Sequence, residues 1–220
     1  MGTTERLLKR VEFKQEALRL IYTDKPLRPR PQFDVYPTDR ATIASALSLL
    51  PADFAPRRAL DPGAGDGGPW GTAIKERWPA CRVDGCDIRA LDRPPAFAGW
   101  ASPCDYRQFA AMARGADLAE MGCAWDLIAT NGPYGDLSEV WVRESLSLLA
   151  PSGVLILLLP LRFLESVRRR DGLWAEHPPA SVHVLGRRPS FVPTGACGPT
   201  AYAIYLWTQG VRGPTSLHWL

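Results

Sequence analysis

Leu60-Asp61-Pro62-Gly63-Ala64-Gly65-Asp66-Gly67-Gly68 decides the fold. Residues 58–61 read as a short strand, and the glycines begin at its end. Glycine lacks a Cβ, so it lets the chain turn sharply out of a strand and lets a ligand approach the backbone. A helical stretch over 70–78 follows. Strand, glycine turn and helix form the opening unit of a parallel α/β sheet.

The same alternation continues downstream. Residues 82–87 form a second strand ending in Asp87, and a weak strand near 100–104 precedes a helix over 106–114. The apolar run 125–130 is a buried strand. It leads through Asn131-Gly132-Pro133-Tyr134 into a helix over 137–149, with Val140, Trp141, Leu146 and Leu149 as core contacts. Pro151-Ser152-Gly153 turns into the buried strand 154–159, and 162–170 is helical or irregular. Closing strands are expected over 180–185 and 202–207, separated by a Gly/Pro-rich loop at 187–199. Upstream, Leu7, Leu8, Val11, Leu18 and Ile21 predict an amphipathic helix over 4–22. A Pro/Arg-rich connector spans 25–37, and Thr38 or Asp39 caps a helix running to about residue 50. The expected architecture is an α/β fold: a mostly parallel seven-stranded sheet with helices on both faces. The N-terminal helix and connector occupy 1–37. A single domain occupies 38–220, with short substrate-binding loops at about 161–180 and 187–199.

Composition narrows the class. The 220 residues are 46% hydrophobic and 22% charged, an ordinary globular balance with room for one substantial core. No apolar run reaches the roughly 20 residues needed to span a bilayer. The charged start, Glu5, Arg6, Lys9 and Arg10, lacks a signal-peptide core, so a cytoplasmic protein with no membrane partner is expected. Five cysteines with no CxxC pair point to neither a disulfide framework nor a zinc ribbon, and no metal site is expected. A net charge of +3 permits nucleic acid without requiring it. The arginine clusters at 168–170 and 187–188 fall in expected loops, where they read either as solvated charge or as phosphate contacts.

The chemistry concentrates at two strand ends. Gly63, Gly65 and Gly68 satisfy GxGxxG, so a dinucleotide-dependent oxidoreductase is one reading. Asp61 and Asp66 argue against it: carboxylates beside the loop repel a pyrophosphate and suit an amine or sulfonium ligand. Asp87, roughly 20 residues past the glycines, stands where a carboxylate accepts both ribose hydroxyls of a nucleoside cofactor. At the second strand end, Asn131-Gly132-Pro133-Tyr134 combines an amide, a tight turn and an aromatic ring, a set suited to gripping a planar amino group.

The second motif resembles the Asn-Pro-Pro-Tyr motif of amino-group methyltransferases, with Gly132 in place of the first Pro. The glycine loop is similar to the S-adenosylmethionine loop of class I methyltransferases. The segment Phe33-Asp34-Val35-Tyr36-Pro37-Thr38 resembles the one that closes over the methionine end of the cofactor in adenine-N6 DNA methyltransferases. The order of these segments is that of the gamma-type enzymes and covers about residues 33–160. The resemblance implies a class I methyltransferase fold, S-adenosyl-L-methionine as cofactor and adenine in DNA as acceptor. It implies cofactor contacts from Tyr36, Thr38, Asp61, Pro62, Gly63, Ala64, Gly65, Asp87, Ile88 and Asp105. Asp61 would lie near the methionine amine and Asp105 near the adenine amine; a surface helix cap is the other reading of Asp105. Asn131 and the Gly132 carbonyl would hold the acceptor amine, with Pro133 shaping the turn and Tyr134 stacking on the base. Phe191, in a loop similar to one in phage-type relatives, would stack on the opposite face, and Arg168, Arg169 and Arg170 would neutralise phosphates. An RNA base or a protein glutamine is an alternative acceptor. A non-catalytic cofactor- or nucleic-acid-binding scaffold, with Gly132 marking decay, is an alternative of another class. If the turn keeps the family geometry, Gly132→Pro is expected to be tolerated.

Overall fold

The computed structural model describes residues 36–115, 124–191 and 199–220. The expected N-terminal helix, most of the connector, Phe33-Asp34-Val35 and much of the 187–199 loop lie outside these residues.

The first described helix, α1 (Arg40–Ser48), starts where a cap was expected: the Asp39 side chain accepts from the Thr42 amide at 3.0 Å and from the Thr42 hydroxyl at 2.7 Å. Such a cap contributes about 1 kcal/mol by satisfying a free helical N–H. Then follow β1 (Arg58–Asp61), α2 (Pro69–Arg77), β2 (Arg82–Cys86), β3 (Gly99–Ala101), α3 (Tyr106–Gly115), β4 (Trp125–Thr130) and α4 (Asp136–Leu148). The C-terminal half holds β5 (Leu149–Pro160), a 3₁₀ turn (Leu161–Leu164), α5 (Val167–Asp171), α6 (Leu173–Glu176), β6 (Ser181–Val184), β7 (Tyr202–Thr208) and β8 (Ser216–Trp219).

One sheet runs in the order β3-β2-β1-β4-β5-β7-β6-β8. Strands β1 to β5 pair in parallel, and β7 runs antiparallel between β5 and β6. The order reverses between β1 and β4, the switch point where an open α/β sheet leaves a crevice at its carboxyl edge. Both motifs hang from that edge. The apolar faces bury separate clusters. Ile43, Leu47, Trp70, Ile74, Leu127 and Ile156 pack on one side of the sheet. Tyr106, Val142, Leu146, Leu155, Leu157 and Tyr205 pack on the other.

Two features differ from the sequence reading. Pro151-Ser152-Gly153 is part of β5, entered through an irregular register between Trp125 and Leu127 and a Ser152 φ of 61°. The sheet also has an eighth strand. β8 pairs in parallel with β6 and is exposed throughout, so it carries no buried alternation to betray it.

His183 of β6 stacks on His218 of β8, with ring centroids 4.7 Å apart and planes 16° from parallel. Burial, then the neighbouring His218, holds His183 below the ordinary 6.5. The folded state therefore resists a proton that the unfolded chain accepts. This stability is present above pH 6.5 and is lost as pH falls through the depressed value. Thermal melts should show the protein losing stability between pH 7.5 and 5.5, with His218→Gln flattening the loss. Equal losses in both proteins would disprove the coupling.

Candidate active site

The glycine loop is pinned from below. Ala64 N–H donates to the Cys86 carbonyl at 3.1 Å, and Gly65 N–H donates to Asp87 Oδ2 at 2.8 Å. Gly65 has φ +69°, the left-handed region that glycine enters without steric cost, and this turns its amide toward β2. Asp61 is fully buried beneath the loop. Its Oδ1 accepts from the Thr130 hydroxyl at 2.8 Å and its Oδ2 from Gly71 N–H at 3.2 Å, with a further backbone bond from Gly63. Burial pushes its carboxyl up to about 7 against the pull of these donors. Thus the amides of Gly63, Ala64 and Gly65 all point into the protein. A phosphate cradle needs such amides facing outward. Asp66 is exposed at the loop.

Asp87 is buried at the end of β2, and its carboxylate is occupied. Besides Gly65, it accepts from the Arg89 amide at 2.9 Å and from Arg89 Nε at 3.0 Å. Beside it Ile88 is 48% exposed, an apolar side chain left out of the core. Asp105 sits just before α3, accepts from the Arg107 amide at 2.9 Å and pairs with its guanidinium at 2.5 Å. That bond from Arg107 holds the Asp105 carboxyl below the usual range. The arrangement is that of a helix cap.

The acceptor motif leaves β4 directly after Thr130, the residue bonded to Asp61. One hydrogen bond therefore ties the roots of both loops. Asn131 is held at two atoms: Nδ2 donates to the Tyr36 carbonyl at 2.8 Å, and Oδ1 accepts from the Tyr134 hydroxyl at 2.8 Å. Burial and the adjacent Tyr202 push the Tyr134 phenol well above its usual range, so it keeps its proton and donates. The Pro133 carbonyl accepts from the Ser138 hydroxyl at 2.8 Å, fixing the entry to α4. Gly132 is buried, and a Cβ there would lie 2.8 Å from Trp141 Cε3. This reverses the expectation for Gly132→Pro: proline carries a Cβ, and the ring of Trp141 occupies its place.

Four aromatic rings form one cluster, which meets Asn131 through Tyr36 and Tyr134. Tyr36 stacks on Tyr134 at 5.6 Å and 18°, and Phe191 lies edge-on to Tyr36 at 5.6 Å. Tyr202 closes the group, 5.1 Å from Phe191 and 5.7 Å from Tyr134. Tyr202 escaped the sequence reading. The signal was topological: β7 is antiparallel and Tyr202 pairs with Pro160, so its first residue stands at the carboxyl edge of β5. Thr38 is buried, and its hydroxyl accepts from Trp70 Nε1 at 3.2 Å, anchoring the Tyr36 segment to α2.

The arginine cluster forms α5, with local partners for each member. Arg168 pairs with Glu139 of α4 at 3.1 Å, and Arg170 pairs with Asp171 at 2.6 Å. Arg169 donates to the carbonyls of Phe163 and Glu165 and lies 5.0 Å over the Phe163 ring. The two ion pairs are exposed and so contribute little stability that a competing anion would have to replace. Among the described residues, no group of His, Cys, Asp and Glu could hold a metal ion. No described helix is long and apolar enough to cross a membrane.

Neither a protein-family model nor a curated protein matches the chain. Solved structures do match its shape. A "modification subunit of a putative type I restriction enzyme" from Vibrio vulnificus YJ016 aligns over 98% of this chain and 51% of its own, at 12% identity and a TM-score of 0.56. A "putative class I S-adenosylmethionine-dependent methyltransferase" from Listeria monocytogenes aligns over 94% and 71%, at 12% identity and 0.55. A chain of a type I R-M system aligns over 94% and 48%, at 14% identity and 0.55. The chain thus spans about half the length of the two restriction-system structures. The fold is that of the class I methyltransferases, as expected, with β8 added at the sheet edge.

Proposed function

We propose that this chain binds S-adenosyl-L-methionine over the glycine loop and methylates the exocyclic amine of adenine in DNA. The observation that carries the reading is the placement of Asn131, bonded to two members of the aromatic cluster Tyr36, Tyr134, Phe191 and Tyr202 and one residue from the Thr130–Asp61 bond at the root of the glycine loop. The inward-turned loop amides and exposed Asp66 favour a cationic ligand over a pyrophosphate, which weighs against the oxidoreductase reading. A restriction-enzyme modification subunit and a chain of a type I R-M system among the structural neighbours support nucleic acid as the acceptor.

When bound, S-adenosylmethionine would supply an electrophilic methyl carbon: its sulfur–methyl bond would break as the nitrogen–carbon bond forms, leaving S-adenosylhomocysteine, and the amine would give one proton to solvent. The rest falls to the protein. An exocyclic amine is a weak nucleophile because its lone pair is delocalised into the ring. Asn131 Oδ1 and the Gly132 carbonyl would accept its two hydrogens and favour a nitrogen whose lone pair faces the methyl. The Tyr134 hydroxyl now donates to that Asn131 oxygen, so it stands where an acceptor N–H would bind and gives way to it. The aromatic group would then receive the flat faces of an extruded base. Phosphate contacts would come from Arg168 to Arg170; the ion pairs of Arg168 and Arg170 are exposed enough to exchange.

The cofactor half is tested by calorimetry. The protein should bind S-adenosylhomocysteine and ignore NAD; a scaffold that holds no cofactor binds neither, and NAD binding would reinstate the oxidoreductase. For the acceptor half, replacing Arg168, Arg169 and Arg170 with Ala should weaken duplex binding and flatten its salt dependence without changing cofactor affinity. Phe191→Ala should lower turnover more than duplex affinity. Salt-titrated curves that coincide for wild type and the triple variant would remove the arginines from the substrate path.

A further inference from the structure

We propose that Trp141 is a positioning residue that sets the spacing between the glycine loop and the acceptor loop, and that Gly132 is the position that makes room for it. The proposal rests on the methyl-transfer reading of the site. Trp141 projects from α4, and its six-membered ring touches both loops. A Cβ at Gly63 would lie 3.0 Å from Cη2 and 3.3 Å from Cζ3 of that ring. A Cβ at Gly132 would lie 2.8 Å from Cε3 and 3.2 Å from the same Cζ3. The ring is therefore a slab bounded by one glycine from each motif: a side chain at Gly132 would have to displace it, and one at Gly63 would press tightly on it.

The slab is itself held. Tyr106 of α3 packs on Trp141 with centroids 4.6 Å apart, and the Tyr106 hydroxyl is bonded to buried Ser145 of α4 at 2.9 Å. The Thr130–Asp61 bond fixes the two loops at their roots, and Trp141 separates them further along. A close-packed interior transmits such a separation with little give. In-line transfer depends on it, because an error of about 1 Å between reacting groups costs on the order of 10²-fold in rate. Gly132 is thus no sign of decay. A proline ring would stiffen the turn locally, and here the indole stiffens it from the side.

The test compares four proteins: wild type, Gly132→Ala, Trp141→Phe and the double variant. Each is assayed for S-adenosylhomocysteine affinity, kcat and KM of transfer, and melting temperature. Gly132→Ala pushes a methyl group into the ring, so kcat should fall at least about tenfold. Trp141→Phe withdraws the outer edge of the indole, so kcat should also fall, with KM and homocysteine-product affinity changed less than about threefold. In the double variant the smaller ring accepts the methyl group, and most of the Gly132→Ala loss should be recovered. Wild-type kcat in Gly132→Ala, or losses that simply multiply in the double variant, would overturn the proposal. Should Gly132→Ala fail to fold, the double variant should fold and bind S-adenosylhomocysteine; one equally unfolded would also overturn it. A wild-type protein that binds no S-adenosylhomocysteine defeats the methyl-transfer reading instead, and the steric coupling is then read from the melting temperatures.

Discussion

Asn131→Ala is expected to reduce methyl transfer by at least about 10²-fold while S-adenosylhomocysteine affinity stays within about threefold. The asymmetry follows from what Asn131 touches. Its oxygen faces the Tyr134 hydroxyl, and its nitrogen holds the Tyr36 carbonyl; neither atom reaches the glycine loop. The oxygen would strengthen its hold as positive charge develops on the acceptor nitrogen, so the loss belongs to the transition state. The lost bond to Tyr36 loosens one ring of the aromatic group, which should raise KM as well. Single-turnover transfer and calorimetry on one preparation separate these effects. Rate and cofactor affinity falling together would make Asn131 part of the cofactor site.

Asp87→Ala is expected to weaken S-adenosylhomocysteine binding by at least about tenfold, since charge-assisted hydrogen bonds of this kind are worth roughly 1.5–3 kcal/mol. Two effects combine. A ribose bound as we propose would lose its acceptor, and Gly65 loses the carboxylate that holds its amide in the left-handed turn. Arg89→Ala should act in the opposite direction. The Arg89 side chain now occupies Asp87 Oδ1 at 3.0 Å, so a ribose diol must displace it. Removing that competitor should tighten binding several-fold. Unchanged affinity in a folded Asp87→Ala protein would move the ribose elsewhere.

The inner strands were legible because they are buried on both faces and their turns carry glycine or proline. Arg58–Asp61 and Trp125–Thr130 fall where the apolar runs end. Long-range consequences were harder to read. Nothing near Asp61 announces that Thr130, sixty-nine residues on, takes its carboxylate and seals it from solvent. Trp141 reads as a core residue from its helical spacing, yet its contacts with Gly63 and Gly132 exist only once β1 and β4 pair. Nothing in the sequence marked Arg89 as the partner of Asp87, and β8 was masked by its full exposure. Gly132 illustrates the limit most directly. As a departure from a motif it suggests a loosened turn; in three dimensions it is one wall of a packed contact.

The central claim is methyl transfer to an adenine amine at Asn131. Incubation with S-adenosylmethionine carrying a labelled methyl group, offering duplex DNA, single-stranded DNA, RNA and protein in parallel and then resolving the nucleosides, measures it directly. Label is expected in DNA, recovered as N6-methyladenine and lost in Asn131→Ala. Label recovered only in RNA or protein, or equal label from wild type and Asn131→Ala, would contradict it.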